Sequence, residues 1–507
     1  MTASDLTAED RVDQVGKPDD LVGELVSWAR GLRYPDIPPS TAALAVSQII
    51  AGLATVRASM AHPLGRGLVA AFGRPLAGDD PKRSAHVLAA LSMCLEYDEI
   101  AYSGHPSASC VNVALSYAVP QRLDGRQLIA AVVAANECAT RFQAAMLLGS
   151  FFRGQSATYT HLVGAVAARM HAQQADIRAW RDAMGLAFGI LPAPVDTAFL
   201  SSDAKVFVAA TPVRMALDAC DAALAGLTGP RHVLECSDGV LERFSDAPMP
   251  DAVVARLGER WHTDTLSFKQ YPASGYLQST FECVERIATR LGRVGPEDVV
   301  GIRVHASILT CLLQQKSDPF LAADQVSVSA LTFSAGYGIA TILLTGSFTP
   351  RDLAGDGVRD ADRWALAKKV EVCHDQELTM RMIAATVPLG EALRQAGRRA
   401  LQVPAIKAFG DAEAVLDALG PPADSFTDAT MAIGARVEVE LRDGSVLVER
   451  VDQATGMAGP ATRRDHREIV AERFRATGGP VEVLRNLDRL DELDADELNR
   501  TVTDALA

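Results

Sequence analysis

From Ser40 to about residue 225 the chain is written in alanine-rich segments whose apolar residues recur at helical spacing, and this restricts it to a packing of helices. The clearest segments are Ser40 to Arg57, Gln127 to Leu148, His161 to His171 and Arg181 to Phe188. Alanine lets helix backbones approach closely, and strand-like alternation is nearly absent here. A first helix is expected from Asp20, broken by Tyr34-Pro-Asp-Ile-Pro-Pro39. With 507 residues and 48% hydrophobic content, the chain can bury one large core or two.

The pattern changes after Trp261. Val299-Val-Gly-Ile-Arg-Val-His-Ala reads as a strand, and Ala435 to Leu441, Arg442-Asp-Gly-Ser and Val446-Leu-Val as a hairpin with an Asp-Gly turn. Helices are expected between these strands at Ser279 to Gly292, Tyr337 to Leu344 and Ala361 to Val370. The tail from Arg463 to Ala507 returns to amphipathic helices. The expected fold is mainly α: a large all-helical domain (residues 1–267), a smaller α+β lid (268–458) and C-terminal helices (459–507) that complete the helical domain.

A net charge of −14, from 49 basic and 63 acidic residues, argues against nucleic-acid or anionic-membrane partners. Met1 to Asp10 has no basic stretch followed by an apolar core, and no uncharged run reaches membrane-spanning length. Eight cysteines are scattered without C-x-x-C pairs, which fits reduced thiols in a cytoplasmic protein and no metal site.

One polar hinge, Glu96 to Cys110, separates two apolar helical patterns, Ser84 to Leu95 and Val111 to Val119. It holds Asp98 and His105 seven positions apart on backbone closed by Pro106, so carboxylate and imidazole can converge as an acid or base. The plain alternative is that Asp98 caps a helix and His105-Pro106 ends a turn.

The order of several segments resembles the MmgE/PrpD family, which contains 2-methylcitrate dehydratases, cis-aconitate decarboxylases and an iminodisuccinate epimerase. The segments are Leu25-Val-Ser-Trp-Ala with Arg33-Tyr-Pro-Asp-Ile-Pro, Asp98 with His105-Pro-Ser, Glu137 with Arg141, and Asp203-Ala-Lys205. Thr228-Gly-Pro-Arg, Lys269-Gln-Tyr-Pro272, Phe333-Ser-Ala-Gly-Tyr337 and the terminal hairpin with Glu472-Arg-Phe continue the series. The resemblance implies a homodimer with an active site between two domains and no required cofactor or metal. It also implies that Asp98, His105 and Tyr337 belong to the catalytic site and that Lys205 and Lys269 bind substrate carboxylates. A dimer through the helical domain is further suggested by helices apolar over more of their circumference than one protomer's core would need.

Two departures bear on activity. Alignment on Gly164-Ala-Val-Ala-Ala places Gln155 where the family carries a histidine, and His161, six residues on, reads as a packed or capping residue. Around Lys269 a second family histidine is missing, with Ser274, Tyr276 and Gln278 in its place, and these three with Gln155 are expected to bind substrate. A positioned acid or base is worth roughly 10² to 10⁴ in rate, so the standard reactions on small tricarboxylates are not expected. The expected function is a cofactor-independent lyase or isomerase acting on an acidic or enolic small molecule through a repurposed site. The alternatives are a cyclase of specialised metabolism, including cycloaddition, and an inactive binding subunit. A tricarboxylate site should be small and lined by lysine and arginine; a cyclase cavity should be longer and mostly apolar.

Overall fold

The computed structural model describes residues 20–152, 156–189, 191–192, 195–321 and 326–507. Its centre is the helix Gly125–Ser150, started by a reciprocal cap between Asp124 and Gln127 and buried at nearly every position from Leu128 onward. It packs against Ser156–Ala172, Cys110–Ala118, Pro39–Ala61 and Leu21–Gly31. Pro39–Ala61 is long and apolar enough to cross a membrane, yet 78% of that stretch is buried inside the chain, as a core helix would be. The wide apolar circumference that suggested a dimer is thus covered within one protomer, and the dimer expectation rests on the resemblance alone.

The described strands form one sheet in the order β2-β1-β3-β4, with β1 Val299–Ala306, β2 Val370–His374, β3 Ala435–Leu441 and β4 Val446–Val451. β1 runs parallel to β2 and antiparallel to β3, and β3–β4 is the expected hairpin, with Gly444 at φ 87° in the Asp-Gly turn. The sequence reading of Ala361 to Val370 as one helix needs correction. The helix ends at Ala367, and Val370 opens the edge strand β2, whose short alternation Val370-Glu-Val-Cys-His is fixed by pairing with distant β1. The helix Gln278–Leu291 covers β3 and β4, and Ala335–Thr345 packs on it and on β2.

The tail returns to the first helices. Pro460–Ala476 packs on Pro39–Ala61, Arg57 Nη1 donates to the Ala505 carbonyl (2.6 Å), and Gly125 N donates to the Leu493 carbonyl (3.0 Å). Gly125 could not be larger, since a Cβ there would lie 1.6 Å from the Leu490 carbonyl oxygen.

Glu137 and Arg141 act as a buried clamp. The Glu137 carboxylate accepts from His262 N (3.0 Å), Thr263 N (2.8 Å) and Thr263 Oγ1 (2.8 Å) and pairs with Arg141 Nε (3.2 Å). Arg141 in turn donates to the carbonyls of Ala255 (2.7 Å) and Arg260 (2.6 Å), so the pair holds the 255–263 segment that leads into the site. Arg141→Met should therefore lower unfolding free energy by about 3–5 kcal/mol, the cost of stranding a buried charge. Arg122→Met, which removes an exposed pair with Asp496, should cost under about 1 kcal/mol. Urea unfolding of both variants checks the contrast.

Candidate active site

The hinge folds back on itself. Ala101 and Gly104 pair through both backbone hydrogen bonds (3.1 and 3.0 Å), and Tyr102 at the turn has φ 56°. The chain therefore reverses between Asp98 and His105, bringing His105 Nδ1 to 2.8 Å from Asp98 Oδ2. Ile100 pairs with Ser267 through both backbone bonds (3.0 and 2.7 Å), which lays the Lys269 segment beside the hinge. Glu96 takes a left-handed backbone (φ 52°), a conformation that costs energy for a side chain of this size and concentrates at functional positions.

Four charged or titratable groups gather to make a cluster of five around Glu96. Its Oε1 lies 2.8 Å from Lys269 Nζ and 3.8 Å from His105 Nε2, and its Oε2 lies 2.6 Å from Lys205 Nζ. Lys269 also reaches the Glu96 carbonyl (3.0 Å) and Asp98 Oδ1 (3.5 Å). Lys205 is held over the rings of Phe199 and Phe333, at 5.7 and 5.5 Å. Both lysines, Glu96 and Asp98 are buried, and His105 alone of the five is partly open.

Burial would raise the Glu96 carboxyl, but Lys205, Lys269 and His105 outweigh it and hold the group well below its ordinary range. For Asp98 burial is likewise outweighed, by His105 and Lys269, and its pKa falls to about 2. An ionised carboxylate can only accept, so His105 Nδ1 carries the proton shared with Asp98 Oδ2, while Nε2 faces Glu96 Oε1 at 3.8 Å. Glu96, Asp98 and His105 place ligand atoms within 4.8 Å of one another, a spacing that could hold a metal ion. All four carboxylate oxygens, however, already face Lys205, Lys269 or His105, and a cation would have to displace two ammonium groups.

Glu96 and His105 open onto a cavity of about 290 Å³. Its walls are mostly apolar: Phe151 and Phe152 after the long helix, Phe199 and Phe333, and Leu309, Leu312 and Leu313 from Ile308–Ser317. Among the described residues, Ser103, Ser274 and Tyr276 are its uncharged polar side chains. Tyr276 has no hydroxyl partner among the described residues, and burial pushes its pKa up, so it stays protonated. Gly275 brings the two loops together, since a Cβ there would meet Ile100 Cδ1 at 2.5 Å.

The structure brings Asp98, His105, Lys205 and Lys269 into one network and puts Ser274 and Tyr276 on the cavity. Three expectations change. Lys205 and Lys269 do not line the cavity; their charges are matched by Glu96 and Asp98 behind its wall. Tyr337 is buried away from the cavity, its hydroxyl donating to the Asp352 carbonyl and accepting from Arg363 Nη1 (2.9 Å). Gln278 is a loop organiser, its amide oxygen accepting from Gln270 N (2.9 Å) and Tyr271 N (3.1 Å) and its nitrogen donating to the Tyr271 carbonyl (3.1 Å).

Gln155 lies outside the described residues. His161 is buried with Nδ1 3.2 Å from Ser109 Oγ, burial lowers its pKa to about 3, and it does not line the cavity. Glu96 and the aromatic walls were missed as site residues. Glu96 was visible as the first carboxylate of the hinge, and Phe333 as the first residue of the motif that ends in Tyr337.

Residues 23–252 match the MmgE/PrpD N-terminal domain and residues 271–415 the MmgE/PrpD C-terminal domain. A comparison with curated proteins gives no match.

A carboxylate with a depressed folded-state pKa adds stability that is complete above its unfolded pKa and is lost as pH falls through the folded one. The Asp98 contribution is therefore whole above about pH 4 and fades toward pH 2. The stability difference between wild type and Asp98→Asn, from urea unfolding across that window, should narrow as pH drops. A constant difference would mean that Asp98 is not ionised in the folded cluster.

Proposed function

Because the chain belongs to the MmgE/PrpD family, known for dehydratase-type enzymes, we propose that it is a lyase-type enzyme that moves one proton through His105 without a metal or other cofactor. The observation that carries this reading is the Asp98–His105 pair, which orients an imidazole that lines an apolar cavity.

In an elimination, His105 Nε2 would take the proton from a carbon next to a carbonyl. The electron pair left behind forms the new double bond and expels a hydroxyl from the neighbouring carbon, with Tyr276 supplying the proton that makes it water. Transfer from the imidazolium back to the phenolate, through solvent in the cavity, restores both groups. An isomerisation needs only the first transfer and its return to another carbon. The apolar walls contribute by excluding water and holding the substrate in a reactive pose.

The same walls favour a second reading, ring closure of a longer substrate. There positioning does most of the work, and His105 supplies one hydrogen bond. Neither reading needs the paired lysines to grip a tricarboxylate.

Product formation from apolar β-hydroxy carbonyl compounds, or deuterium uptake from D2O into enolisable ones, followed by mass spectrometry, tests proton transfer directly. His105→Ala should lower the rate by roughly a hundredfold or more if His105 is the base. A loss of only about tenfold, the value of one hydrogen bond, would favour ring closure. Tyr276→Phe should slow elimination more than deuterium uptake, since only elimination needs the leaving group protonated. An absence of turnover across the panel in the wild type would support a binding subunit.

A further inference from the structure

Resting on the reading of His105 as the reacting imidazole, we propose that the substrate is an elongated, mostly apolar molecule. It enters with an uncharged polar end first and leaves any carboxylate at the cavity mouth, beside Lys316. This reverses the orientation in which Lys205 and Lys269 would bind an acid at the reacting end.

The first support is the helix Ile308–Ser317. Leu309, Leu312, Leu313 and Lys316 share one face at helical spacing, and all four line the cavity. A stripe of this kind ordinarily packs into a core, but here exposure rises along it: Leu309 is 4% exposed, Leu312 39%, and Lys316 lies at the surface. The stripe therefore runs from the buried end of the cavity to its mouth. Its length from Leu309 to Lys316 is about 10 Å, enough for an extended hydrocarbon body rather than a compact acid.

The second support is the charge at the buried end. Lys205 and Lys269 are paired with Glu96 and Asp98, so neither ammonium group stands unmatched before an incoming acid. Glu96 itself forms part of the wall, and a substrate carboxylate placed there would face another carboxylate in a desolvated space. Ser103 provides a hydroxyl without a partner among the described residues, and Tyr276 a second neutral hydroxyl on the wall, which suit a carbonyl or hydroxyl group.

Calorimetric titration of the full chain with hexanoate, octanoate, decanoate, 1-decanol and citrate tests the arrangement without any turnover. Decanoate and 1-decanol should bind and citrate should not. Lys316→Glu should weaken decanoate by about fivefold and leave 1-decanol unchanged, as loss of one partly exposed charge contact implies. Leu313→Trp, which fills the channel, should shift preference toward the shorter acids; Leu312→Glu at its more exposed position should weaken all alkyl probes if the tryptophan variant does not fold. Binding of citrate, failure of every alkyl probe, or an unchanged profile in these variants would overturn the proposal. His105→Ala should still bind decanol, so failure of the catalytic reading would appear as unchanged turnover in that variant while the binding profile stands.

Discussion

The structure around the cavity depends on one carboxylate trapped between two ammonium groups. Glu96 is buried on a left-handed backbone with Lys205 on one oxygen and Lys269 on the other, and Lys269 also reaches Asp98 Oδ1 at 3.5 Å. Removing such charges from water costs several kcal/mol per ion, and only close pairing offsets this. Lys205 reaches Glu96 from the turn after Asp196–Ser201, and Lys269 from the segment bridged to Ile100, so two distant segments are tied to the hinge by electrostatics. His105 stands at the edge of the same cluster, oriented by Asp98, and is the member that meets the cavity.

Much of this was legible in the sequence. The alanine-rich periodicity located the helices because packing against neighbours on every side leaves few polar positions, and the hinge stood out as the polar break between two of them. The Asp98–His105 contact is one of two readings of the hinge, because a proline-closed loop of seven positions is short enough to allow convergence but does not impose it. β2 was not legible: Val370 to His374 is an edge strand whose identity comes from its parallel partner, distant in the chain.

The placement of the site residues is more instructive. Lysines in a family motif suggested acid binding, but charge balance is a property of the folded cluster and cannot be counted along the chain. Tyr337 and Gln278 are polar residues that face inward to satisfy Asp352, Arg363 and the 270–274 loop, and nothing local separates that duty from substrate contact. The residues that do form the walls are ordinary phenylalanines and leucines. Their burial pattern resembles a core until the space beside them is known.

The groups that would do chemistry sit on the hinge, while the long wall of the cavity sits on Ile308–Ser317, about two hundred residues later in the chain. The two share no hydrogen bond between Asp98 or His105 and that helix face among the described residues. Substitutions along the leucine stripe can therefore drift without disturbing the charge cluster, so that lineages carrying this fold could exchange one apolar substrate for another while their reactive centre stays under separate selection.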